Sequence, residues 1–172
     1  MLRVISALAL TAQVLFPTAP PGVGRSDAYA RAAGNRKMVA VQIGQSLFRT
    51  QWPAQVLNVY ADGIRGHAVA GLRLSGVHFH HPLTHAEFLT EVSDLVEHAF
   101  AAAPVEEVDL WVSVPLNVGK GVVVAGDLAK PTFRVVFTVS VRRGEAAAAL
   151  LQRLRRGDGV FWDQDWARTA LK

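Results

Sequence analysis

The chain has no cysteine, which removes disulfides, thiolate metal sites, a cysteine nucleophile and a lipid-modified N-terminal cysteine together. Charge is also sparse, with Asp, Glu, Lys and Arg at 19% of residues, too little for a solvated, unfolded chain. Long apolar runs are missing. The apolar run at residues 4–16, which carries no charge, falls short of the roughly 20 residues that span a bilayer. Familiar catalytic signatures are missing too. Ser75-Gly76 lacks the earlier glycine of G-x-S-x-G, and the turn around Lys120 is not a phosphate-binding loop.

What is present is apolar side chain, 51% of 172 residues, enough for one real core. The net charge of +4 is modest. Residues 1–30 predict an export signal. Arg3 supplies the positive start, residues 4–16 the apolar run, and Ala28-Tyr29-Ala30 a small-x-small cleavage pattern. A linker at 31–37 and a single domain at 38–172 follow. The mature protein is then expected in the periplasm or outside the cell, and not integral to the membrane.

Period-two alternation predicts strands at 38–48, 56–61, 67–79, 105–115 and 132–142, with a short edge strand at 121–126. In the first, Val39, Val41 and Ile43 share a side; in the last, Phe133, Val135, Phe137, Val139 and Val141 do. Gly71 and Gly76 predict bends in the third strand. A helix start is written at residues 83–88. Thr84 and Glu87 have capping-box spacing, and Leu83 and Phe88 that of a hydrophobic staple. Phe88, Val92, Leu95, Val96 and Ala99 continue as one apolar stripe, with Glu91, Asp94 and Glu97 facing away. Residues 145–156 predict a second helix stopped by Gly157, and Asp163 caps a short last one. The expected fold is α+β: a mainly antiparallel sheet of about five strands, order βββαββ(β)αα, with a long helix and a C-terminal helix on one face.

Five of the six histidines fall between residues 77 and 100. His78 and His80 share a strand face, and His85 lies in the first helical turn, so these three are the candidate ligands of a zinc or copper ion. Their spacing matches no established metal signature, and solvent-facing histidines at a strand–helix corner are the simpler reading. His98, four residues after Asp94, reads as a surface pair.

Arg142, Arg143, Arg153, Arg155 and Arg156 form a candidate contact for an anionic surface. Nucleic acid is not expected, because no aromatics are interleaved with them. With no complete catalytic constellation, an enzyme is disfavoured. The leading expectation is an exported, non-catalytic domain that binds a protein partner or an envelope component. The alternatives are a metal-binding protein or metal-dependent enzyme using the three histidines, and a carrier holding an apolar ligand between sheet and helix.

Overall fold

A computed structural model describes residues 25–64, 67–116 and 133–172. The elements run α1 (Arg25–Gly34), α2 (Arg36–Leu47), β1 (Ala54–Ile64), β2 (His67–Phe79), α3 (His85–Ala102), β3 (Glu107–Pro115), β4 (Phe133–Arg142), α4 (Ala147–Arg156), β5 (Val160–Trp162) and α5 (Gln164–Ala170). The strands form one sheet in the order β1-β2-β3-β4-β5. Three of its four pairings are antiparallel, and β2 runs parallel to β3. The protein is therefore α+β, as expected, with a mixed sheet. The parallel pair follows from the connection, since α3 carries the chain back from the end of β2 to the start of β3. The expected edge strand at 121–126 lies outside the described residues, as do residues 1–24 of the leader.

The start of α3 forms as its sequence dictates. The Thr84 hydroxyl accepts from the Glu87 N–H at 3.2 Å, and the Glu87 carboxylate accepts from the Thr84 N–H at 2.8 Å. Leu83 and Phe88 are both buried. At its other end Arg143 does the work of a cap. Its guanidinium donates to the Phe100, Ala103 and Val105 carbonyls at 2.6–2.7 Å, tying the last turn of the helix to the chain that leaves it.

The stretch expected as the first strand is α2 instead. Val39, Val41 and Ile43 do alternate, but Val39, Ile43 and Leu47 also recur every fourth residue, and these three are buried while Met38 and Val41 are exposed. Asn35 settles the start by accepting from the Met38 N–H at 3.3 Å. The residues expected as a linker, 31–37, hold the end of α1, Asn35 and the first residues of α2. A cut after Ala30 would divide α1, whose Ala32 is buried in the core.

The helices share one side of the sheet, with α3 packed between α2 and α4. The layer between α3 and β4 is filled by side chains, with Phe88 meeting Phe137 edge-on at 5.1 Å over buried Val139 and Val141. Trp162 and Trp166 close it, each within 6 Å of Phe88. An apolar ligand held between sheet and helix was expected to sit in this layer.

Two expectations about faces are corrected. A register shift between Val112 and Ser113 adds a residue at Val136, so Phe133 and Val135 turn to the far face, away from Phe137, Val139 and Val141. Glu91 does not face solvent: it is 5% exposed and accepts from the Ala54 N–H at 2.7 Å, because the chain entering β1 lies over this side of α3.

Candidate functional site

The side of the sheet opposite the helices is the largest specialised surface among the described residues. Strand register places its side chains in rows. Asn58, Arg73, Trp111, Thr138 and Phe161 are directly paired neighbours from β1 to β5, and beside them run Tyr60, Gly71, Asp109 and Ser140. Ser75, Ser113 and Val135 make a third row, with Pro115 and Phe133 beyond it. Paired residues point to the same side, so these rows form one continuous face.

Its centre is organised by a missing side chain. A Cβ on Gly71 would lie 1.9 Å from the Tyr60 ring, so only glycine leaves room for Tyr60 to cross β2. Tyr60 thereby reaches Trp111, with ring centroids 5.0 Å apart and planes tilted by 55°. Burial raises the Tyr60 phenol above its ordinary value, with Asp109 and Asp62 adding to the rise, so the ring stays neutral. Gly71 was expected to mark a bend, but its pairing is regular. The irregular steps of this hairpin lie elsewhere: between Leu74 and Phe79 the extra residues are in β2, around Gly76 as expected, and the next step leaves Leu57 as the extra residue in β1.

The polar groups on this face are matched among themselves. Asp109 accepts from the Ser140 hydroxyl at 2.5 Å. Arg73 donates to Ser113 at 2.9 Å and lies over the Phe133 ring at 4.0 Å. Glu107 lies 3.9 Å from Arg142 and 3.1 Å from His67, whose other ring nitrogen is 3.0 Å from Glu106. Arg73 and Arg142 stand on this face among the carboxylates of Asp62, Asp109 and Glu107, and Asp62 is paired with Arg36 at 3.0 Å. Most of the remaining exposed area is apolar. Leu57, Tyr60, Val77, Phe133, Val135 and Phe161 are each 37–53% exposed and together present roughly 500 Å². Shallow hollows of about 350 and 300 Å³ flank the centre, the first lined by Tyr60, Trp111 and Thr138, the second by Asn58, Arg73 and Phe133.

The three candidate metal ligands are distributed differently. His78 and His80 line one open hollow with Gln55. His85 is stacked on Trp162, ring centroids 5.8 Å apart and nearly parallel. Among the described residues no group of three or more His, Asp or Glu is arranged to hold a metal ion. His98 reaches the Asp94 backbone carbonyl, at 2.9 Å, and packs edge-on against Trp52.

The five arginines are partly committed. Arg143 is spent on the end of α3, Arg153 is held by Glu145 at 2.8 and 3.0 Å, and Arg156 by Asp158 at 2.7 Å. Sequence reasoning singled out neither Tyr60 nor Arg73. The available signal was Trp111, a large ring among the polar positions of β3. No family model matches the chain, nor does any curated protein or solved structure.

Proposed function

We propose that this protein is an exported, non-catalytic domain that acts by protein–protein contact through the open face of its sheet, with a second copy of the chain as the occupant. The observation that carries the reading is the exposed apolar face built on Tyr60, Trp111, Phe133, Val135 and Phe161. An apolar patch of roughly 500 Å² stands at the upper end of what monomers leave uncovered, and a stable interface takes about 800 Å² per partner. Internal pairing of Arg73, Asp109, Glu107 and Arg142 favours an uncharged partner surface over a polyanion. A face whose exposed area is mainly apolar is compatible with its own copy, and two sheets stacking about 10 Å apart is a common way to bury such faces. Export rests on the pattern of residues 1–30, and no described helix is long and apolar enough to cross a membrane.

Sedimentation equilibrium tests the contact. The wild-type chain is expected to be dimeric at micromolar concentration. Val135→Glu, at an exposed position, is expected to be monomeric with an unchanged unfolding midpoint, and Phe48→Ser on α2's exposed end is expected to stay dimeric. A monomeric wild type, or a Val135→Glu dimer, overturns the reading. Intact-mass measurement of the exported product tests the leader: a cleaved N-terminus supports export, and full-length chain retained in the cytoplasm overturns it.

A further inference from the structure

A second hollow, of about 350 Å³, opens on the helical side of the molecule, where the turn before β1 meets the first two turns of α3. Trp52, Pro53, Leu83 and Ala86 make its walls apolar. Glu87, Glu91 and Asp94 place three carboxyl groups along it, because positions four and three apart share one side of α3. Glu91 is the unusual one. Its Oε1 accepts from the Ala54 N–H, but its Oε2 is buried with no hydrogen-bond partner. Buried carboxylate oxygens are seldom left this way, and one lining a hollow calls for a donor from outside. Glu87 is tied by one oxygen to the Thr84 N–H. His81 is the one basic group on the lining; Trp52 and Pro53, from the opposite wall, are uncharged, and His98 lies behind Trp52.

The geometry points to a binding site for a primary alkylammonium group, with the ammonium taken by Glu91 between Glu87 and Asp94 and the alkyl stem laid against Trp52 and Leu83. An ammonium brings three donors and one positive charge to a place that offers an orphan acceptor and an excess of acid. Its compact charge suits a single free oxygen better than the planar fork of a guanidinium, which seeks two. The indole of Trp52 suits both the stem and the cation. Burial holds the Glu91 carboxyl up at about 7, with Asp94 raising it further and the Ala54 N–H and His81 opposing. Binding therefore requires Glu91 to give up a proton over the neutral range. A free alkylamine and a lysine side chain present the same chemistry.

Calorimetric titration of the full chain with n-butylammonium chloride tests the site, beside n-butanol and Nα-acetyl-lysine N-methylamide. Butylammonium is expected to bind saturably and about tenfold more weakly at pH 6 than at pH 8. Glu91→Gln is expected to lose about tenfold in affinity and the pH dependence with it, and Asp94→Asn, on the rim, several-fold. Binding of the capped lysine as well assigns the site to side chains; binding of butylammonium alone assigns it to free amines. No saturable binding, equal binding of n-butanol, or unchanged affinity in both variants overturns the proposal. None of these results depends on the sheet face.

Discussion

Tyr60 crosses Gly71 to meet Trp111, so two rings from β1 and β3 touch although β2 lies between them. The contact fixes the middle of the open face. It joins the edge strand β1 to the centre of the sheet by side chains as well as by the backbone ladder, and it presents an aromatic surface on the side away from the described helices.

Gly71→Ala is expected to break that contact. The new Cβ falls 1.9 Å from Tyr60 Cε1, so the ring must leave its seat, at a cost of about 1–3 kcal/mol in stability. Near-ultraviolet circular dichroism should lose the Tyr60–Trp111 signal. In a Tyr60→Ala background the same change should cost much less, because nothing is left to collide with. Equal losses in both backgrounds would mean that the glycine matters for the backbone and not for the tyrosine.

Arg143 holds three carbonyls at the end of α3, and its role is expected to depend on the shape of the guanidinium. Arg143→Ala should cost about 2–3 kcal/mol in chemical denaturation, because three charge-assisted bonds are lost and the Phe100 and Val105 carbonyls lose their side-chain donor. Arg143→Lys should recover only part of this, since one ammonium cannot span the positions that the fork reaches. Full recovery by lysine would reduce the residue to a charge near the helix C-terminus.

Glu91 makes stability depend on pH in a direction opposite to that of a salt-bridged acid. Its folded-state value is raised from 4.5 to about 7, chiefly by burial, so between these values the folded chain keeps a proton that the unfolded chain has lost. The contribution is fully present below about pH 4.5, declines as pH rises toward 7 and is gone above it; its full size is about 3 kcal/mol. Glu91→Gln should remove this slope. Relative to wild type the variant should gain up to that amount between about pH 5 and pH 8, measured by urea unfolding at each pH. Parallel pH profiles for the two proteins would mean that Glu91 is not held as a buried neutral acid.

The sequence made the later half of the fold legible because its signals there are local. Thr84 and Glu87 cap one another three residues apart, Gly157 takes the left-handed conformation that ends α4, and Asp163 accepts from the Asp165 and Trp166 N–H groups to start α5. The errors have non-local causes. Val136 looks like any residue in a strand of alternating valines, and only pairing with β3 shows that it is an extra residue. Glu91 sits on the polar side of a clean helical stripe, and it is buried by residues nearly forty positions earlier. The setting of His85 is non-local too, since its ring stacks on Trp162, a partner far along the chain. The open face was hidden for the same reason: Tyr60 and Trp111 become one feature only when three strands are in register.

Residues 38–48 are the sharpest case, since their apolar positions satisfy a two-residue and a four-residue period together. Asn35 and Gly44 together test the helix. Glycine inside a regular element costs up to about 1 kcal/mol relative to alanine, and a side-chain cap at Asn35 matters only if a helix starts there. A Cβ built on Gly44 would meet the Phe48 ring at 3.6 Å, an ordinary contact with a side chain that is itself exposed. Gly44→Ala is therefore expected to stabilise the protein by about 0.5–1 kcal/mol, read as a higher urea midpoint with an unchanged slope. Asn35→Ala, which removes the cap that accepts from the Met38 N–H, should cost a similar amount, and in the double variant the two effects should nearly cancel. A destabilised Gly44→Ala together with a neutral Asn35→Ala would return this segment to the strand that its alternation first indicates.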